Sequence, residues 1–432
     1  MQGCTGNGEI SGMKKIYIWG AGRHAKTVYE AIDKNRCVVA GFVDNDCTKW
    51  GKQWEGCIPV ESPEILLESE FDHVFITAED YQQVLEQCRQ LGIDRKKLSA
   101  FWDSKEVLPY IDGWKKKIVE QEIQIHCLKK ELECYKQRVE NYPYEFCCEQ
   151  EIHIKSAEEL LQKILSGGGS LCRFGDGEFE IMRGKERAWF QKIDQNLAFR
   201  LKQILESDEE NVMIAVADNF GSLACYTDDA ADAIREYLSG GTREAVLQML
   251  DKKRAYYDAY VTRAYLMYKD KSHAERIFNL FKKIWKDRNV LIVEGCYSRI
   301  GIGNDLLFGT QGIKRILCPS ADSYDYYEKI RNAVYRNVQE DELVLISLGP
   351  AATVLAYDLA KKGIQALDIG QLDNEYEWFL RKASQRIEIP GKGVAELGWW
   401  RRPGVMVTDP VYLKQIVEEI MGREEPCVTS VS

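Results

Sequence analysis

Asp176 and Glu178 stand two residues apart in Gly175-Asp176-Gly177-Glu178, just past the apolar run 170–174 and close behind Arg173. On an extended segment alternate side chains project to the same side, so both carboxylates reach one divalent cation. A cation bridging diphosphate oxygens neutralises the charge on a departing nucleoside diphosphate. Taken alone, the same triplet is an ordinary turn with solvated acids, and Arg173 pairs either with a phosphate or with a neighbouring carboxylate. A second group is Ser298, Arg299, Gly301, Gly303, Asn304 and Asp305. Its glycines permit close approach of backbone to a ligand, and Arg299 suits a phosphate; the plain alternative is a loop before a helix. Gly349-Pro350 opens a helical pattern and offers free backbone N–H groups to an anion, although proline in a first helical turn is also ordinary helix grammar. Asp218, Glu294 and Asp373 are candidate bases for an attacking hydroxyl, unranked.

These residues sit in or just after the runs SLCRF, VMIAVA, NVLIVEG, KRILCP, LVLISLG and QALDIG, most of them separated by helical patterns. That alternation predicts a mostly parallel, doubly wound sheet of about six strands within residues 152–432, with ligands beyond the carboxyl ends of the strands. The unit opens on a helix capped by Ser156 and Glu159. Residues 14–110 carry their own strand–helix alternation. Gly20-x-Gly22-x-x-Ala25 follows a strand and opens a helix, and Asp44 ends the next strand at the distance of a ribose contact. Arg23 and His24 hint at a phosphate. The same fold binds other nucleotides or simply packs tightly at its glycines, so NAD is not the expected cofactor.

Between them, residues 111–145 read as a helix. Ile118, Ile125, Leu132 and Val139 recur every seven residues, with Gln121, Leu128 and Tyr135 between them. Such a seam pairs with a second copy, giving a homodimer, or lies against a domain; Pro143 is expected to end the helix. The predicted fold class is α/β: two Rossmann-like, doubly wound parallel-sheet domains joined by a helical, coiled-coil linker.

Composition narrows the chemistry. The 432 residues carry a net charge of −10, which gives no global basic face for nucleic acid. No apolar run is long enough to span a membrane, and the first 20 residues lack the pattern of a signal peptide. The 14 cysteines are scattered and the five histidines are far apart. Reduced thiols in a cytoplasmic protein are the plain reading. A metal here would be a hard ion on oxygen ligands, Mg²⁺ or Mn²⁺.

From about residue 155 to 400, the pieces CRFGDGEF, VEGCYSRIGIGNDLL, RILCPSADSYDYYEKI, LVLISLGPAATVLAYDLAKKGIQALDIGQLDNEYEWF and GKGVAELG together resemble the GT-D type glycosyltransferases. The resemblance implies transfer of a sugar from a nucleotide sugar, a UDP-sugar, to a glycan acceptor of bacterial glycoproteins or polysaccharides. It also implies that the D-x-E motif, Asp176 and Glu178 here, supports metal binding and catalysis. IYIWGAGRHAKTVYEAI, GFVDND and GCIPV resemble the N-terminal domain of bacterial sugar O-acetyltransferases, which holds part of a nucleotide sugar. No hexapeptide-repeat helix follows, so acetyl transfer is not expected. Two other functions stand beside sugar transfer. One is an NAD-dependent nucleotide-sugar oxidoreductase, weakened because its Tyr-x-x-x-Lys spacing occurs only at Tyr265–Lys269 and Tyr357–Lys361, outside the first unit. The other is a non-catalytic sugar-nucleotide scaffold.

Overall fold

The computed structural model describes residues 13–54, 58–78, 81–102, 104–147, 152–185, 191–394 and 409–420. It divides into two compact units, Met1–Glu133 and Cys134–Ser432. Both are mixed α/β with largely parallel sheets. No helix among the described residues is long and apolar enough to cross a membrane.

In the first unit, β1 (Lys14–Trp19), β2 (Cys37–Val43), β3 (Gln53–Trp54), β4 (Ile58–Glu61), β5 (His73–Ile76) and β6 (Leu98–Ala100) lie in the order β3-β4-β2-β1-β5-β6. Only the β3–β4 pair is antiparallel. Ile16 and Ile18 of β1 enter one core cluster, and Tyr17 and Trp19 enter the other. The sheet is therefore buried on both faces, which is why its parallel strands read as continuous apolar runs.

The second unit holds nine strands rather than about six. They are β7 (His153–Lys155), β8 (Ser170–Phe174), β9 (Val212–Val216), β10 (Ala255–Asp258), β11 (Asn289–Gly295), β12 (Gly312–Cys318), β13 (Leu343–Ser347), β14 (Ala366–Asp368) and β15 (Ile416–Glu419). Their order is β15-β12-β11-β13-β14-β8-β9-β10-β7, and every registered pairing is parallel. The unforeseen strands β7, β10 and β15 are three or four residues long and rich in charge or tyrosine, so no apolar run marks them. Leu291 and Val293 of β11 face one core cluster while Val290 and Ile292 face the other. Helix Pro350–Ala360 is buried nearly all round. A helix with no polar face belongs in a core, and this one packs on β8 and β14. The Ser156–Glu159 capping box opens helix Ala157–Gly167.

Helix Lys116–Phe146 does not stop at Pro143 but runs through it for one more turn. Proline inside a helix removes one hydrogen bond and crowds the carbonyl four residues back. Here the last turn is held from outside. Glu145 makes two hydrogen bonds to Arg235, at 2.7 and 2.8 Å, and Tyr144 donates to Glu244 at 2.9 Å.

Candidate functional site

The carboxyl ends of β8, β9, β11, β12, β13 and β14 line a cavity of about 680 Å³. Arg173 and Gly175 come from the end of β8, Asn219 from beyond β9, Ser298 from beyond β11, Ser320 from beyond β12, Gly349 from beyond β13 and Gly370 from beyond β14.

Asp176 and Glu178 both reach this cavity, but not as an extended pair. Gly175 turns the chain, and Asp176 begins helix Asp176–Met182. Two residues apart on a helix is about 200° of rotation, so the side chains diverge. Glu178 bends back to accept from Gly175 N–H at 2.8 Å, filling the role of an N-terminal cap. Asp176 stays exposed and accepts from Gly177 N–H at 2.9 Å. Burial pushes the Glu178 carboxyl up to about 7, and the negative Asp368 adds to the shift; the Gly175 N–H and Arg173 oppose it.

Arg173 takes the second of its two readings, pairing with a carboxylate. Its Nη2 meets Asp368 Oδ1 at 2.8 Å, and its Nε donates to the Asp368 carbonyl at 2.9 Å. Gly370 lies against this guanidinium: a Cβ there would stand 2.1 Å from Arg173 Nη2. Gly349, at φ +56°, caps helix Pro350–Ala360 at the cavity wall.

The three candidate bases separate. Glu294 is fully buried inside β11. Its Oε1 meets Arg315 Nη1 at 2.6 Å and its Oε2 accepts from Ile300 N–H at 2.7 Å. It holds the following loop in place and is not positioned to take a proton from a substrate. Asp373 lines the cavity but is a buried anchor. It accepts from Gly301 N–H at 2.8 Å, Asn304 Nδ2 at 2.9 Å and Lys392 Nζ at 2.5 Å. Asp218 is half-buried outside the described lining. Beside it lies Asp258 at the end of β10, whose Oδ1 accepts from Tyr260 N–H at 2.8 Å. Burial, reinforced by Asp218, pushes the Asp258 carboxyl up to about 7.

The loop after β11 serves itself more than a ligand. Arg299, buried at φ +50°, donates to the Gly391 carbonyl at 2.5 Å instead of facing the cavity. Gly301 has φ +75°, and a Cβ there would meet Leu307 Cδ1 at 2.5 Å. Its glycine is required by packing, not by ligand approach. Asn304 bonds Asp373 and Glu377, and Asp305 bonds Lys282 and Tyr376. Of this group only Ser298 lines the cavity among the described residues; Arg299, Gly301, Gly303, Asn304 and Asp305 do not. The piece GKGVAELG continues beyond the described residues.

Gln371, Asn219, Tyr260 and Asp368 escaped sequence reasoning. Gln371 Oε1 and Asn219 Oδ1 are buried and without a hydrogen-bond partner among the described residues. Both residues line the cavity, and buried polar atoms normally find partners. Tyr260 also lines it and accepts from Asn219 Nδ2 at 3.0 Å. Asp368 lay inside a run already read as a strand, where its charge was the available signal.

In the first unit, Gly20 sits at φ +105°, where a Cβ would come within 2.8 Å of Thr77 Oγ1. Gly22 is the N-cap of helix Arg23–Ala31, and Ala25 is fully buried within it. Asp44 does not await a ribose: its Oδ2 accepts from Ala21 N–H at 2.8 Å and pairs with Lys49 at 2.9 Å. His24 packs edge-on against Trp102 with ring centroids 4.6 Å apart. The glycines and Asp44 therefore stitch their own turn together.

A parallel α/β sheet with a polar cavity across its carboxyl ends defines the ligand-binding frame of an α/β enzyme. Residues 171–397 match the family model of the glycosyltransferase GT-D fold. The chain belongs to this family of glycosyltransferases. Residues 12–99 match a model described as C2185-like, N-terminal, in place of the O-acetyltransferase domain that the motifs suggested. The chain is 38% identical over 251 residues to the probable glycosyl transferase Gly of Streptococcus gordonii, covering 57% of this chain and 36% of that protein. It is 32% identical over 272 residues to the glycosyltransferase GlyD of Streptococcus pneumoniae serotype 4, covering 63% and 33%. The chain thus spans about a third of the length of these curated relatives. A solved structure described as a new glycosyltransferase (DUF1792) from Streptococcus sanguinis superposes with a TM-score of 0.59 at 36% identity, covering 62% of this chain and 100% of that one.

Proposed function

We propose that the second unit moves a sugar from a UDP-sugar to a glycan acceptor, with a divalent ion, in bacterial glycoprotein or polysaccharide synthesis. The observation that carries this reading is the placement of Asp176. It is an exposed carboxylate at the start of a helix, inside the cavity to which six strand ends contribute.

Among the described residues no three His, Cys, Asp or Glu side chains form a metal cage. Mg²⁺-type ions are commonly held by one or two carboxylates, with phosphate oxygens and water completing the shell. Asp176, with Glu178 beside it, fits that kind of site. A divalent ion there neutralises charge on the departing diphosphate. The chain's own groups do the rest. The helix start at Gly349-Pro350 offers backbone dipoles to an anion, and Lys185 and Arg386 line the same cavity. Arg173 and Asp373 position the walls through the contacts described above. Glu178, held near 7, is matched to take the proton of an acceptor hydroxyl at neutral pH. Gln371 and Asn219 offer unused acceptors to sugar hydroxyls.

The test is a screen of UDP-sugars for UDP release with Mn²⁺ and with chelator, on the parent and on Asp176→Asn. The variant is expected to lose sugar transfer by about 100-fold or more while its circular dichroism is unchanged. Near-normal transfer by Asp176→Asn, or release that ignores the chelator, sinks the metal role.

A further inference from the structure

Helix Lys116–Phe146 buries one side and leaves another bare. In heptad terms its a positions are Ile118, Ile125, Leu132, Val139 and Phe146, and its d positions are Gln121, Leu128, Tyr135 and Tyr142. The groups that pack within the chain lie elsewhere on the helix. Val119 and Ile123, at b and f, enter the core of the first unit, and His126, at b, stacks on Trp102 with centroids 3.7 Å apart. Arg138 and Glu145, at g, and Asn141, at c, bond Asp232, Arg235 and Arg243 of the second unit. Apart from Gln121, every a and d side chain is large and apolar and between 50% and 73% exposed. Single exposed apolar residues are ordinary. Eight on one strict seven-residue repeat, along about 42 Å of helix at 1.5 Å per residue, form the seam of a left-handed coiled coil.

The geometry points to a second copy of this chain as the occupant of that seam, its helix parallel and in register. The flanking charges choose the orientation. In a parallel pair each g residue faces the e residue five positions on in the other helix. That sets Lys117 against Glu122 and Glu131 against Lys136, with Gln124 against Lys129 neutral. An antiparallel pair overlapping over the same length sets Lys117 against Arg138 and Lys129 against its own copy. Like charges so placed are unfavourable. Tyr135 and Tyr142 at d keep their rings in the seam and their hydroxyls at its wet margin.

The full chain is expected to sediment as a dimer at micromolar concentration. Leu132→Glu introduces facing carboxylates at an exposed position, so it should give a monomer with unchanged circular dichroism. Lys136→Glu should weaken dimerisation about tenfold, and adding Glu131→Lys should restore it. In a background of Cys127→Ser and Cys134→Ser, Leu128→Cys and Tyr142→Cys should each form an intersubunit disulfide, because a parallel register brings both to their own copies. A monomeric parent, a dimer indifferent to Leu132→Glu, or cross-linking at only one of the two positions overturns the proposal.

Discussion

Glu294→Gln separates a structural acid from a catalytic one. Glu294 and Arg315 are at most 1% exposed, and their ion pair is 2.6 Å long. The substitution keeps the shape and one oxygen for Ile300 N–H but loses the charge. The Arg315 guanidinium is then buried with no countercharge at that contact. Breaking a buried pair from one side costs about 3–5 kcal/mol. Arg315→Met leaves the opposite orphan, a buried carboxylate, and should cost a similar amount. The double variant removes both charges, and the introduced amide oxygen still accepts from Ile300 N–H. It should therefore be more stable than the sum of the singles predicts, by about 2 kcal/mol or more. Urea unfolding of the four proteins at pH 7, followed by circular dichroism through the transition of the second unit, measures the cycle. A Glu294→Gln cost below about 1 kcal/mol, or additive singles, would refute the buried-pair account. A variant of parental stability that has lost sugar transfer would return Glu294 to the catalytic base.

Two further outcomes are expected. Asp258 is 6% exposed and keeps its proton to about pH 7, whereas in the unfolded chain it ionises near 3.8. The folded chain binds the extra proton in that window, so stability falls as pH rises from about 4 to about 7, by about 4 kcal/mol, and levels off above. Asp258→Asn should flatten that slope, and an unchanged slope in pH-dependent denaturation contradicts the shift. Gly370→Ala, at φ +45° with Arg173 in the way, should lower stability by about 1–3 kcal/mol. It should also reduce transfer by releasing Arg173 from Asp368; a parental melting temperature would refute the crowding.

The legible parts of the fold are those whose signal is local. SLCRF, NVLIVEG and LVLISL announce β8, β11 and β13 because strands buried on both faces need unbroken apolar runs. The heptad of residues 118–146 is local in the same sense. AYYD, by contrast, is a strand only because β9 and β7 flank it, so Asp258 at its end went unnoticed. Asp176 and Glu178 were placed at the right edge of the sheet but in the wrong conformation: with glycine as the capping residue, the helix start lacks the usual Ser or Thr signal. Glu294 and Arg299 show the commonest limit. Each is a charge near a strand end, and each is claimed by a partner distant in sequence, Arg315 on the next strand or the Gly391 carbonyl. No spacing within one chain segment reveals such a pairing.

The seam between β14 and β8 bears on how the molecule comes to exist. Its ladder is registered at the one pair Leu367 and Leu171. Side chains close the rest: Ser170 accepts from Ala366 N–H across 196 positions of sequence, and Thr353 bonds the Arg173 carbonyl across 180. Contacts so distant pay their loop-closure entropy before they return anything. The strands on either side can assemble from nearer neighbours, and their union is the late event. As the cavity draws walls from both sides of that seam, a nascent chain has no competent site until almost all of it has been synthesised, and the enzyme's first turnover waits on the closing of one short ladder.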